Sequence, residues 1–333
     1  MDKMINPNSF KFLQWAAEDN TYYDDLFYSL GLCKIGEVRT SHDVIWKGNG
    51  IFFFVTTRRN DFVKVHGPGV CGIGLNVGNA KLAYQHAIEN GMEQDVSTFG
   101  IEYAGYGIDG VKMYFVDFPT WQTFRYLWEP YNATSERPTG VNFVDHLTHN
   151  CHPGSVDIWA ENYENWFGMY ENKYFDIDGK ETGLISKAMM SPIGQLAIPL
   201  NEDKNNKGQI AKFIRDFNGE GVQHIALHTD DIYFTVKRLR EMGIEFLDTP
   251  AAYYDMIDER VDVHEEDISA MKELGILIDG SKEEGILLQI FTKEVIGPVF
   301  FEIIQRKGNK GFGHGNFQAL FEAIEREQLI DIR

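Results

Sequence analysis

The stretch Gly221-Val222-Gln223-His224-Ile225-Ala226-Leu227-His228-Thr229-Asp230-Asp231-Ile232 reads as a strand running into a helix. Val222, Ile225 and Leu227 supply branched apolar side chains, and Thr229-Asp230-Asp231 supplies a helix N-cap. Phe234, Val236, Leu239 and Met242 then fall at roughly helical spacing, and Gly243 closes the helix. The pattern occurs once before. Gly69-Val70-Cys71-Gly72-Ile73-Gly74-Leu75-Asn76-Val77 is followed by Leu82, Ala83, His86 and Ala87, then Gly91. A shift of 152 residues aligns Gly69 with Gly221, Val70 with Val222, Ile73 with Ile225, Leu75 with Leu227 and Gly91 with Gly243. This is the mark of an internal duplication. Gly72 stands where the later copy has His224, so that strand histidine is a candidate for a function kept only by the second half.

Working outward, 10–16 reads as a strand and 20–32 as a helix, followed by strands at 36–39, 44–47 and 51–57. The strand at Gly69 opens a second unit with strands near 97–103 and 111–117. Pro130, Asn132, Ser135, Pro138 and Gly140 mark a linker over 129–139. A third unit begins at Val144, with a helix near 156–170 and strands at 174–177, 183–190 and 196–200; 201–208 is a polar loop. The fourth unit contains an acidic insertion over 258–280 with its own short helix, then strands at 285–292 and 299–305. The chain ends in an amphipathic helix over 316–328, where Phe317, Leu320, Phe321 and Ile324 share one face. The expectation is an α+β chain of four βαβββ units paired into two domains, 1–135 and 140–333. The glycines of Gly72-Ile73-Gly74 do not make a dinucleotide fingerprint, because the third arrives one residue late, at Gly78, and no alternating βαβ array follows.

Of 333 residues, 50 are acidic and 31 basic, a net charge of −19. No basic field exists to draw nucleic acid or an anionic membrane surface. No apolar run is long enough to span a bilayer, and the N-terminus has no secretory signal. Cys33, Cys71 and Cys151 are odd in number and widely spaced, which fits a reducing cytoplasm rather than a disulfide framework.

Three residues carry the chemistry. His146 and His224 each lie early in the first strand of a unit in the second domain. Glu302 sits in Phe300-Phe301-Glu302-Ile303-Ile304, an otherwise apolar strand. A carboxylate there needs a cation or a metal to offset its desolvation. Each alone is compatible with a satisfied core histidine or a buried salt bridge. Two imidazoles and a carboxylate on three strands are also the facial ligand set of a non-haem Fe(II) site. His149 is sent to the opposite face by strand alternation. His152 falls in a turn, His228 lies near the helix cap, and His314 lies in a glycine-rich loop.

The segments Val144-Asp145-His146-Leu147-Thr148-His149-Asn150, Pro199-Leu200-Asn201-Glu202, Leu287-Leu288-Gln289-Ile290-Phe291-Thr292, Phe301-Glu302-Ile303-Ile304-Gln305-Arg306 and Gly311-Phe312-Gly313-His314-Gly315-Asn316-Phe317, with the opening stretch, resemble 4-hydroxyphenylpyruvate dioxygenase, particularly its short bacterial form. The likeness is dense in the second domain and loose in the first. It implies two open-barrel domains of the vicinal-oxygen-chelate superfamily, the first without metal, and a C-terminal helix closing the active site. It implies Fe(II) on His146, His224 and Glu302. It further implies a substrate pocket of Ser186, Pro199, Asn201, Gln209, Gln223, Gln289, Phe291, Phe312 and Phe317, with Gln289, Asn201 and Gln223 closest to the chemistry. The 201–209 loop is short relative to longer members. The implied reaction takes 4-hydroxyphenylpyruvate and O2 to homogentisate and CO2 in tyrosine catabolism, in a cytoplasmic homo-oligomer, dimer or tetramer. Rival readings are 4-hydroxymandelate synthase, an extradiol catechol dioxygenase, and a metal-free binding protein of the superfamily.

Overall fold

The computed structural model describes residues 2–96, 99–132, 138–178, 183–194, 196–261, 264–316 and 319–320. The first unit comprises β1 (Ser9–Ala16), the helix Asp24–Ser29, β2 (Cys33–Val38), β3 (Val44–Lys47) and β4 (Phe52–Thr56). The second comprises β5 (Gly69–Asn76), the helix Ala80–Glu89, β6 (Glu93–Gln94), β7 (Ala104–Tyr106) and β8 (Lys112–Val116). After β9 (Trp128–Pro130), the third has β10 (Val141–Cys151), the helix Val156–Phe167, β11 (Tyr170–Asp178), β12 (Gly183–Met190) and β13 (Ala197–Asp203). The fourth has β14 (Gly221–Thr229), the helix Ile232–Glu241, β15 (Leu277–Ser281), β16 (Gly285–Phe291) and β17 (Phe300–Lys307). The units form two curled sheets, ordered β6-β7-β8-β5-β1-β4-β3-β2-β9 and β11-β12-β13-β10-β14-β17-β16-β15.

The duplication extends to local detail. Asn79 caps one helix by accepting from Leu82 N, and Asp231 caps its counterpart by accepting from Phe234 N. Gly91 and Gly243 end those helices with φ of 96° and 92°, a left-handed turn that a side chain would strain. In each sheet the first strands of paired units run antiparallel (β1 with β5, β10 with β14), and each first strand lies parallel to its own unit's last strand.

Register shows what became of each copy. His224 pairs with Thr148 and Phe300, and Gly72 pairs with Gln14 and Lys112. Moving two residues along each neighbouring strand, Phe12, Gly72 and Tyr114 occupy the places of His146, His224 and Glu302. The first-half set is filled with rings: Phe12 lies 5.1 Å from Phe54, 5.7 Å from Phe99 and 5.4 Å from Tyr114. The opposite faces of the two sheets share one apolar core, in which Trp15 of β1 meets Phe301 of β17 at 6.0 Å between ring centroids.

Several expectations are corrected. The strand expected near 97–103 is the three-residue β7 at Ala104–Tyr106. The first part of the expected linker is β9, whose register with β2 closes one edge of the first sheet. The polar loop begins later than expected: β13 continues to Asp203 because its backbone stays paired with β12, so Asn201 is a strand residue. Gln209 opens an unforeseen helix, Gln209–Phe217, and the helices Asn60–His66 and Phe118–Arg125 are likewise additional. The acidic insertion contains the expected helix, Ile268–Leu274, and also β15. Of the final helix, 314–316 and 319–320 are helical; Phe317 and the rest lie outside the described residues.

The aromatic filling leaves no slack beside Gly74, where a Cβ would come within 2.4 Å of the Phe12 ring. Gly74→Ala is therefore expected to overpack this core and cost about 1–3 kcal/mol, seen as a lower urea midpoint at unchanged slope.

Candidate metal centre

Two β-bulges shape the centre. Between β10 and β14, Val144 pairs with Leu227 and His146 with Ala226, so Asp145 is the extra residue; Thr148 pairs with His224 and His149 with Val222, so Gln223 is extra on the other strand. A bulge lets two successive side chains serve one face. Both bulged residues serve the histidine that follows. Asp145 Oδ1 lies 2.8 Å from His146 Nδ1, and Gln223 Oε1 lies 3.0 Å from His224 Nδ1. Each acceptor keeps a proton on Nδ1 and turns Nε2 inward, the orientation a metal requires.

Both Nε2 atoms converge on one oxygen. Glu302 Oε2 is 3.3 Å from His146 Nε2 and 3.4 Å from His224 Nε2. The three donors lie within 4.8 Å of one another and form the only such metal-binding cluster among the described residues. Two imidazoles and a carboxylate suit a divalent transition metal with positions left for further ligands. The Glu302 oxygen facing away, Oε1, accepts from Gln289 Nε2 at 2.9 Å. Thr148 Oγ1 donates to His224 Nε2 at 2.9 Å.

The charges are balanced beyond these donors. Arg306, four residues past Glu302 in β17, donates from Nε to Asp145 Oδ2 at 2.8 Å and from Nη2 to Asp145 Oδ1 at 2.6 Å. Its Nη1 donates to the carbonyls of Asn309 and Gly311, tying down the loop that carries Phe312. Phe312 meets the His146 ring edge-on at 5.1 Å. Burial raises the Glu302 carboxyl, but the His146 and His224 imidazoles outweigh it and hold it down to about 2. Burial lowers His146, but the Glu302 and Asp145 carboxylates outweigh it and push it up to about 9. Burial dominates at His224 and lowers it. At neutral pH the metal-free centre therefore holds one extra proton, on His146 against Glu302.

The remaining residues singled out from sequence fall as follows. Phe291 and Phe300 border His224 at 6.1 and 5.0 Å. Ser186 pairs in register with Asn201, and Asn201 with Asn150, so three polar residues form a row across β12, β13 and β10. Pro199 lies in β13 opposite Ala188. Gln209 is exposed at the start of its helix. Phe317 is outside the described residues. His149 faces away, with Nδ1 3.0 Å from the Tyr163 hydroxyl of the helix Val156–Phe167.

Sequence reasoning missed Asp145, Thr148, Asn150, Arg306 and Asn316 as individuals, though all lie in quoted segments. Asp145 directly precedes a ligand candidate, which was the available signal. Asn150 is fully buried, and among the described residues neither of its amide atoms has a partner. A buried amide left with both atoms unsatisfied is poised for a polar ligand atom or water.

Two outcomes follow from this geometry. Gly313 has φ of 71°, and a Cβ there would sit 1.5 Å from Gln289 Oε1. Gly313→Ala is expected to displace Gln289 from Glu302 and weaken metal binding about tenfold or more, measured by equilibrium dialysis. Because a metal must displace the His146 proton, binding near pH 7 is expected to release about one proton, with apparent affinity rising as pH rises towards 9. Calorimetry in buffers of different ionisation enthalpy counts that proton; a buffer-independent heat would contradict the assignment.

Comparison with known proteins agrees with the geometry. Residues 2–125 match the family described as hydroxyphenylpyruvate dioxygenase, N-terminal, and 145–256 match the glyoxalase/bleomycin resistance protein/dioxygenase superfamily. The chain is 47% identical to the hemolysin VllY of Vibrio vulnificus, over 98% of this chain and 97% of that protein. It is 42% identical to a 4-hydroxyphenylpyruvate dioxygenase of Legionella pneumophila, over 97% of this chain and 95% of that protein. A solved mutant of 4-hydroxymandelate synthase from Streptomyces coelicolor superposes with a TM-score of 0.80 at 26% identity, covering 97% of this chain and 99% of that one. With matching sequence over nearly its whole length, duplicated βαβββ sheets and a pair of imidazoles facing a buried carboxylate, the chain belongs to the 4-hydroxyphenylpyruvate dioxygenase family.

Proposed function

We propose that the chain is a non-haem Fe(II) dioxygenase that converts 4-hydroxyphenylpyruvate and O2 to homogentisate and CO2. The observation that carries this reading is the convergence of His146, His224 and Glu302 in a chain 42% identical to a protein bearing that name. Residues 140–333 form the catalytic domain. Residues 1–135 form a domain without metal, since Phe12, Gly72 and Tyr114 stand in the places of the three donors. A reducing cytoplasm fits the three cysteines, odd in number and all buried; the homo-oligomer is what the family resemblance implies. Among the described residues no helix is long and apolar enough to cross a membrane.

Bound Fe(II) supplies the activation of O2 and the oxidative decarboxylation of the 2-oxo acid. The chain supplies geometry. Asp145 and Gln223 lock the two imidazoles with Nε2 inward, and Glu302 offers Oε2 while Gln289 occupies Oε1. His146, His224 and Glu302 would hold the iron through three donors, a set that would leave room for a 2-oxo acid and O2. Phe291 and Phe312, which border His224 and His146, wall the aromatic ring. The row Ser186, Asn201 and Asn150, with Gln223, meets the phenol end through neutral groups; the exposed Gln209 is left out of it. An ionic partner there would be costly to bury and would shift the phenol's protonation.

The second reading, 4-hydroxymandelate synthase, uses the same substrate and metal and oxidises the benzylic carbon instead of the ring. A solved relative carries that name, but at 26% identity against 42% for the dioxygenase, which favours ring attack. Anaerobic Fe(II) reconstitution, then O2 and 4-hydroxyphenylpyruvate, with chromatography of the products, decides between them. Homogentisate is expected, and mainly 4-hydroxymandelate would overturn the reading. Asn201→Ile or Phe291→Leu is expected to divert part of the flux to 4-hydroxymandelate or to uncoupled O2 consumption. A misplacement near 1 Å is enough for such an effect.

A further inference from the structure

A chain of buried polar side chains leads from the acidic insertion to the metal centre. Arg260 Nη2 donates to the Tyr253 hydroxyl at 2.8 Å, and Ile278 N donates to the same oxygen at 2.9 Å. Tyr253 lies 2.6 Å from Asn316 Oδ1 and 3.0 Å from the carbonyl of Ile278. Asn316 Nδ2 donates to Gln289 Oε1 at 2.7 Å, and Gln289 Nε2 donates to Glu302 Oε1 at 2.9 Å. Tyr253, Asn316, Gln289 and Glu302 are each no more than 2% exposed.

The ends of this chain fix its direction. Arginine only donates, and an ionised carboxylate only accepts. The Tyr253 oxygen already accepts two hydrogen bonds, and the Ile278 carbonyl already accepts from Arg260 at 2.8 Å. The single phenolic proton therefore goes to Asn316 Oδ1, the shorter contact. That sets the Asn316 amide, which sets the Gln289 amide, which presents N–H to Glu302. Reversing either amide would set donor against donor or acceptor against acceptor in a dry interior, where each mismatch is expensive.

We propose that Tyr253 and Asn316, anchored by Arg260, are positioning residues that commit Glu302 Oε1 to Gln289 and so leave Oε2 as its single metal-binding oxygen. The proposal rests on the reading of Glu302 as a metal ligand. It also ties the 313–316 segment to the carboxylate. Asn316 lies in that segment, which is further held by Gly315 N donating to Asp279 Oδ2 at 2.9 Å, and Asp279 faces Arg260 at 3.6 Å. The placement of this stretch and the orientation of the carboxylate are thus linked through Gln289.

The test uses the full chain, stripped of metal and titrated anaerobically with Co(II), whose visible absorption reports its coordination. Asn316→Asp keeps the size of the side chain but turns the donor facing Gln289 into an acceptor, which drives the Gln289 amide to turn its oxygen to Glu302. The expected result is a Co(II) dissociation constant raised about tenfold or more, with a changed visible band. Tyr253→Phe should move both readouts the same way by less, and it carries the test if Asn316→Asp does not fold. Parental affinity and spectrum in the variants that fold would overturn the inference, as would a lowered unfolding midpoint with those two readouts unmoved. Glu302→Ala, run in parallel, separates this from the wider reading: Co(II) retained there sinks the ligand assignment itself, whereas Co(II) lost there and parental binding in Tyr253→Phe sinks the positioning role alone.

Discussion

One buried carboxylate organises the second half of the molecule. Glu302 stands in the middle of β17 between Phe301 and Ile303, and its side chain is almost wholly withdrawn from water. An ion in that position is untenable without partners. The fold provides them from three directions: His146 from β10, His224 from β14 and Gln289 from β16. The strand order β10-β14-β17-β16 makes this possible, because it places the ligand-bearing strands side by side although they are far apart in sequence.

The duplicated first half shows the same frame with the problem removed. There Tyr114 takes the place of the carboxylate, and Phe12 and Gly72 take those of the imidazoles. Tyr114 needs one partner rather than three, and its hydroxyl donates to Gln14 Oε1 at 2.9 Å. Rings from Phe12, Phe54, Phe99 and Phe124 occupy the space that the other half keeps for ligands. Packing therefore replaced chemistry. The bare Cα of Gly72 is a steric consequence, since a Cβ would approach Tyr114 and Gln14 to 2.9 Å.

Much of this was legible because it is local or repeated. The pairs Gly69 and Gly221, and Gly91 and Gly243, give the duplication away at one fixed offset. Glu302 announces itself as a charge among Phe and Ile. What could not be read depends on register. Asp145 and Gln223 reach their histidines only because each is the extra residue of a bulge, and periodicity carries no sign of a bulge. Asn201 was assigned to a loop because Asn201-Glu202-Asp203 is polar, whereas pairing with Ser186 and its neighbours holds those residues in β13. Arg260 lies in an acidic insertion whose composition advertises only solvent, Tyr253 lies just before it, and their link to Glu302 exists solely in three dimensions.

The two bulged residues differ in charge, and the difference has a consequence. An aspartate behind each histidine would make both imidazoles stronger donors but would bury two extra negative charges. The chain uses one, Asp145, and neutralises it with Arg306; behind His224 it uses the neutral Gln223. With a divalent cation bound and both imidazoles neutral, Glu302 and Asp145 oppose the cation and Arg306, leaving one positive charge in excess. A 2-oxo acid brings one carboxylate, and the filled site is then neutral. An aspartate at 223 would make the centre neutral before the substrate arrived and negative afterwards, which a dry interior resists. The choice of amide over carboxylate behind His224 thus keeps the centre matched to a monoanionic acid.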